Sequence, residues 1–515
     1  MNRRRYGGPA PLVLTAFEGE SLPGAVADLF GEGHLAGVFL RRQNVTSIEQ
    51  ARALTAEIAA LAGGGMPWII AIDEEGGLVS HLAHVVPAPP APMAIAASGV
   101  RAREVGRRAG RVLRRFGINT VFAPVCDVNV NPANPVIGCR AFGGEPEKVA
   151  KCAAEIVEGY RDAQILATAK HFPGHGMTGD DSHATLPIVA LEEGALGGHL
   201  RPFRTAVLAG VDLIMTAHVA YPALEAAVAA RAGEEPPREP RPATLSPLLL
   251  RKLLREEIGF GGPVVSDAFD MAGLTGAGSP QELAERGTAA GVDLWLLMDL
   301  ASLDVVERGI ARVARDPGGR FLVQQAGARV NQVRLRIAAA EPADGDAIDA
   351  ETLRCFEDVA ARAVAVVRAG ASVPLVAEKP LFVMPEGWPV HLVVDRAAFE
   401  AAARAVWPLS SFIWTATDPD EGAREALRAS DADAVVVGTL SRGPMREGAR
   451  ALLEAADGLA KLLVCVALHD PYDVAAFPAR AAAIATFGAR PENVRALVAV
   501  LAGRAQATGK MPMRV

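Results

Sequence analysis

The chain has 515 residues, 52 of them Lys or Arg against 59 Asp or Glu, for a formal net charge of −7. Half of it is hydrophobic and 22% is charged, a globular composition that excludes general disorder, while the acidic balance argues against a nucleic-acid binder, which carries a basic excess. No apolar run reaches the ~18–20 residues of a membrane helix, and a length several times that of a typical ~100–150-residue domain predicts a large barrel with a companion domain.

Arg3, Arg4 and Arg5 precede a short apolar run at 11–17. It is too short for a signal-peptide core and reads as a first strand, which fits a cytoplasmic protein. Aliphatic runs at 11–14, 36–40, 68–73, 120–124, 166–170, 212–216, 263–267 and 293–298 predict eight strands. Helical periodicity separates them, as at 103–116, 147–163 and 245–257. Eight strand–helix units in about 300 residues predict a parallel (β/α)8, TIM-like barrel. An open doubly wound sheet is the competing arrangement. The proline-rich stretch 233–242 reads as a surface loop between strands six and seven.

A polar stretch at 341–346 reads as a linker. Beyond it Leu353, Phe356, Val359, Ala360, Ala363, Val364 and Val367 recur at i, i+3, i+4 spacing, predicting the apolar face of one helix. Runs at 381–384, 391–394, 412–415, 434–437 and 462–467 predict strands of a second, smaller α/β layered domain. The expected organisation is a catalytic barrel at 1–335, a linker and connecting helix at 336–370, and an α/β sandwich at 371–515. The five cysteines are an odd number, spread from Cys126 to Cys465 with no C-x-x-C pair. Neither a disulfide framework nor a cysteine zinc site is expected.

In a parallel barrel the chemistry comes from the carboxyl ends of the strands. Strand three ends at Asp73, followed by Glu-Glu-Gly-Gly; strand four leads through Asp127 to Arg140. Strand five runs into Lys170-His-Phe-Pro-Gly-His-Gly, a loop then carries Asp180-Asp-Ser-His183, and strand seven ends Ser266-Asp267, four residues before Met271.

These residues resemble glycoside hydrolase family 3, specifically its β-N-acetylglucosaminidase (β-N-acetylhexosaminidase) branch. The resemblance rests on K-H-F-P-G-H-G at 170–176, the following D-S-H at 181–183, S-D-A-x-x-M at 266–271, and F-A-P-V-x-D-V with N-P-V-I-G-x-R at 122–140. It extends to the second domain through A-L-H-D-P-Y-D at 467–473 and the closing G-K-M-P at 509–512. It implies a two-domain, cofactor-independent exo-glycosidase of carbohydrate metabolism or cell-wall recycling, acting with retention on terminal β-linked N-acetylglucosamine. Asp267 is then the nucleophile; capping of the next helix is its bland alternative. Asp181 and His183 form the acid/base pair, the carboxylate supporting an imidazole that titrates near neutrality, with Asp180 a rival for the supporting role. Asp73, Arg140, Lys170 and His171 hold the sugar. His218 is divided between pocket wall and packing, and Met271 between pocket lining and core.

The family pattern after strand three, D-x-E-G-G-R-V-x-R, is altered here: Leu78 and His81 replace both arginines. That weakens the case for an anionic or muramyl-type neighbouring sugar. Cys139 before Arg140 is a second departure. Within the family a β-glucosidase or a phosphorylase remains open. From other classes, a degenerate sugar-binding homologue and a metal-dependent barrel hydrolase built on His171, His175, His183, His199 and His218 compete, though Pro173 and Gly174 break any helix between the first two. The expected partner is a small carbohydrate, with no metal, nucleic acid or membrane span, in a monomer or homodimer.

Overall fold

A computed structural model describes residues 11–182, 184–189, 193–341, 348–370, 372–388, 392–459 and 461–514. All eight expected strands are present: β1 Val13–Thr15, β2 Gly37–Leu40, β3 Ile69–Ile72, β4 Thr120–Val121, β5 Leu166–Phe172, β6 Leu213–Thr216, β7 Val264–Ala268 and β8 Leu294–Leu297. They pair in parallel in chain order and close where β1 meets β8, with Val13 opposite Trp295. This is a closed TIM-like barrel, and the open-sheet alternative falls. The strands are nearly uniform apolar runs because both faces are covered, by the barrel interior and by the outer helices.

Those helices follow the predicted periodicity, including Ala102–Arg115 and Pro146–Asp162. The helix expected at 245–257 divides into a 3₁₀ turn, Ala243–Leu245, and a π-helical stretch, Leu248–Glu257. Of the run 120–124 only Thr120–Val121 pairs as a strand, and a single bridge joins Val125 to Lys170.

The second domain is a six-stranded mixed sheet. Its strands are β9 Ala365–Arg368, β10 Pro380–Pro385, β11 Ser411–Thr415, β12 Ala434–Thr439, β13 Leu462–Ala467 and β14 Ala482–Ala485. They lie in the order β9-β14-β13-β12-β10-β11, all parallel except the β9–β14 pair. Three expectations need correction. The helix spans Ala350–Ala363 and stops before the β-branched Val364, Val366 and Val367, which favour extended backbone and lead into β9; Leu353 is exposed on its outer face. The run at 391–394 does not join the main sheet, since Leu392–Val393 pairs with Gly387–Trp388 in a small hairpin. The alanine-rich β14 is an added strand. Most of the polar stretch at 341–346 lies outside the described residues.

The second domain presses on the barrel around Arg140. Gly138 has φ +47°, and a Cβ there would sit 2.2 Å from Asp470 Oδ1; Gly143 has φ +141°, and a Cβ there would lie 2.3 Å from the Pro512 carbonyl oxygen. Both positions require glycine for backbone shape and for close approach. The Tyr472 hydroxyl accepts a hydrogen bond from Asn129 Nδ2 at 2.7 Å and donates to the Asn129 carbonyl at 2.9 Å. Leu78, where the family pattern has arginine, is buried in the apolar cluster that also holds Phe382 and Leu392 of the second domain, and it lines the cavity at the barrel's carboxyl end. No helix of the described residues is long and apolar enough to cross a membrane.

Candidate active site

A cavity of about 600 Å³ opens at the carboxyl ends of the barrel strands. Phe39, Met215, Leu296 and Met298 supply apolar wall, and Asp73, Glu75, Arg140, Lys170, His171, Asp181, Asp267 and Met271 also line it. Residues far apart in sequence, from Phe39 to Met298, therefore converge because they sit at the carboxyl ends of several barrel strands.

Asp73 ends β3 and the chain turns at once into a hairpin, Glu74–Gly76 against Val79–Ser80, which points Glu75 inward. Lys170 Nζ, on β5, lies 2.5 Å from Asp73 Oδ1 and 2.6 Å from Glu75 Oε1. Arg140 meets Glu75 bidentately, Nε to Oε2 and Nη2 to Oε1, both at 2.8 Å. Burial pushes the Glu75 carboxyl up, but Arg140 and Lys170 outweigh it and hold the group below the usual carboxylate range. Desolvation likewise opposes charge on Lys170, and Asp73 and Glu75 reverse it, so that the ammonium titrates above its ordinary value. The result is a fixed array of charges that needs little reorganisation when a polar ligand enters.

His171 is oriented from behind. Its Nδ1 donates to Asp127 Oδ2 at 2.7 Å, which directs Nε2 toward Arg140 Nη2, 3.4 Å away. Asp127 Oδ1 also accepts the His175 amide at 2.7 Å. Asp267 lies near the end of β7, and its Oδ1 accepts the Ala268 amide at 2.8 Å. Burial raises this carboxyl, yet the His171 and His218 rings, that amide and Lys170 together bring it below the ordinary aspartate range. Asp267 is therefore an anion at neutral pH. Of the two neighbouring aspartates, Asp181 lines the cavity and Asp180 is exposed outside it. His183 lies outside the described residues.

The family model described as the N-terminal domain of glycosyl hydrolase family 3 matches residues 21–318. The chain belongs to glycoside hydrolase family 3. Its structure is similar to that of a family 3 β-N-acetylglucosaminidase from Paenibacillus sp. str. FPU-7, with 31% identity, a TM-score of 0.89 and 98% of each chain covered. Its sequence is 29% identical to β-hexosaminidase A of Pseudoalteromonas piscicida, over 96% of this chain and 92% of that protein. A β-glucoside phosphorylase shares the fold, with a TM-score of 0.81 and 19% identity over 98% of this chain and 93% of its own. The chain is a glycoside hydrolase.

Within this family 3 framework one of the two positions left open for His218 is the one observed. His218 is buried behind Asp267 rather than on the cavity wall: its Nε2 donates to the Ala268 carbonyl at 3.0 Å and its Nδ1 pairs with Thr244 Oγ1 at 2.8 Å. Lys170 and Arg140 pair with Glu75, not with Asp127, which is committed to the two histidines. His175 Nε2 pairs with Ser182 Oγ at 2.9 Å and its Nδ1 with Thr178 Oγ1 at 3.0 Å. Its ring nitrogens are thus engaged in hydrogen bonds rather than turned to a metal shared with His171.

Two groups were missed from sequence. Glu75 carries the charge array; it stands at the E of the D-x-E-G-G-R-V-x-R pattern, but the sequence assigned it no role. Arg442, just past β12, reaches the cavity from the second domain, and its guanidinium makes no hydrogen bond or ion pair among the described residues. With Arg42 it places positive charge at the cavity mouth. Cations thus stand near the entrance although Leu78 and His81 have replaced the arginines of the family pattern.

Proposed function

We propose that this hydrolase removes terminal β-linked N-acetylglucosamine with retention, by double displacement through a sugar ester on Asp267. The carrying observation is the single cavity in which ionised Asp267 faces Asp73, Lys170, Arg140, His171 and Asp181. The β-N-acetylglucosaminidase relative supports the choice of sugar. Asp267 attacks the anomeric carbon while a proton passes to the leaving oxygen; water then attacks the same carbon and the ester breaks, returning Asp267 as a carboxylate. His183, supported by Asp181, gives the proton in the first step and takes one from water in the second, on the strength of the D-S-H spacing. Asp73, with Lys170, Arg140 and His171, grips the sugar hydroxyls, and Met271 lines its apolar edge. On this reading residues 1–335 do the chemistry, 336–370 join the parts, and 371–515 roof the cavity, with Arg442 placed to meet the leaving group.

The test compares hydrolysis of nitrophenyl β-N-acetylglucosaminide and nitrophenyl β-glucoside, with and without phosphate. The expected result is a strong preference for the N-acetyl substrate and no acceleration by phosphate. Preference for the glucoside would overturn the choice of sugar; appearance of a sugar 1-phosphate would make the enzyme a phosphorylase.

A further inference from the structure

Outside the cavity, one group of metal-ligating side chains comes together among the described residues: Cys139, His469 and Asp470. Cys139 lies in the short turn Gly138–Arg140 of the barrel, whereas the other two follow β13. All three are buried, and one donor atom from each, a thiol sulfur, a ring nitrogen and a carboxylate oxygen, lies within 4.8 Å of the other two. Cys139 Sγ donates to the His469 carbonyl at 3.0 Å, while Asp470 Oδ1 accepts the Cys139 amide at 2.8 Å and lies 3.6 Å from His469 Nε2.

A buried carboxylate is costly unless a cation or several donors compensate it. Among the described residues Asp470 makes no ion pair with a lysine or arginine; the Cys139 amide and thiol and the His469 ring are its neighbours, and the Arg442 charge acts on it only at longer range. A thiol, an imidazole and a carboxylate are also the mixed donor set suited to a borderline cation, whereas magnesium and calcium take oxygen ligands. Bonds of about 2.0–2.3 Å to such an ion would draw the three atoms together by about 1.5 Å at most.

We propose that Cys139, His469 and Asp470 form a site for a divalent cation of the zinc class, which ties the Arg140 turn to the second domain. On binding, the thiol releases its proton to solvent and the thiolate sulfur bonds to the ion, with no change of oxidation state. The sequence gives no warning of this site, because its two halves are 330 positions apart.

The test uses the full-length chain, stripped by chelator and titrated with Co²⁺ and then Zn²⁺. One equivalent of Co²⁺ should bind with a thiolate-to-cobalt charge-transfer band in the near ultraviolet, and Zn²⁺ should displace it and raise the Tm. Cys139→Ser should abolish the band and weaken Zn²⁺ binding at least about tenfold, Asp470→Asn should weaken it comparably, and Cys126→Ser should change neither. Absence of a thiolate band in the wild-type chain under excess Co²⁺ overturns the proposal, whatever the variants do. So does Zn²⁺ binding that survives Cys139→Ser unchanged, which would locate the ion elsewhere, such as the catalytic cavity.

Discussion

Arg140 and Glu75 are joined by two parallel hydrogen bonds of 2.8 Å, and the same carboxylate receives Lys170 Nζ at 2.6 Å. One buried anion thus restrains two cations that line the cavity. Removing it leaves Arg140 buried without its carboxylate and Lys170 with Asp73 alone, a class of change that costs about 3–5 kcal/mol. Glu75→Gln should therefore lower the urea-unfolding free energy by that order and reduce kcat/KM at least about tenfold. A variant as stable and active as the wild type would show that Asp73 alone suffices.

Asp267→Asn should abolish turnover of every substrate, since the amide cannot form the ester. His183→Ala should behave differently. A nitrophenolate leaves with little protonation, so that substrate should lose least, whereas a disaccharide should slow by about 10²–10⁴-fold. Steady-state rates on the two substrates check this, and equal losses on both would remove His183 from the acid role.

Arg442→Ala isolates the contribution of the second domain. Because this guanidinium lines the cavity and makes no hydrogen bond or ion pair among the described residues, its removal should leave folding intact. We expect a roughly tenfold loss of kcat/KM on a disaccharide and less than about twofold on the aryl glycoside, consistent with one charge-assisted contact of about 1.5–3 kcal/mol to the leaving sugar. Equal effects on both substrates would place Arg442 outside the leaving-group side.

Glu74 predicts a pH effect on stability. Burial pushes its carboxyl from an ordinary 4.5 up to about 7, despite hydrogen bonds from Ser80 and the Leu82 amide and the charge of Arg490. The folded chain therefore holds a proton that the unfolded chain has already released between those values. The stabilisation is full below about pH 4.5 and is lost as pH rises through 7, in all on the order of 3 kcal/mol. Glu74→Gln keeps one donor and one acceptor in place of the protonated acid. It should match the wild type near pH 5, exceed it at pH 8, and flatten the Tm profile between them. A parallel profile in both proteins would contradict the raised value.

The barrel was legible because strands buried on both faces write uninterrupted apolar runs, and because its chemistry always sits at one end of them. Asp73, Lys170, His171 and Asp267 could be placed from that rule and the family motifs. Glu75 could not: its inward turn depends on a hairpin whose pairing shifts between Glu74 and Gly76. β9 was hidden because Val364 and Val367 continue a helical spacing past the true end of the helix, and β14 because a run of alanines carries no period. Arg442 and Asp470 were beyond reach for a different reason. Their importance comes from the folded chain, which sets Asp470 against Cys139, 331 positions away, and brings Arg442 to a cavity of the barrel, and no local pattern encodes either.

Gly138 and Gly143 flank Arg140, and each is sealed by an atom from the far end of the chain. There is no slack at either point, so the turn carrying Arg140 has the C-terminal half as its splint. A substitution deep in the second sheet that shifted Asp470 or Pro512 by an ångström would reach the cavity through this arginine, appearing first as a raised KM in a protein whose barrel was otherwise undisturbed.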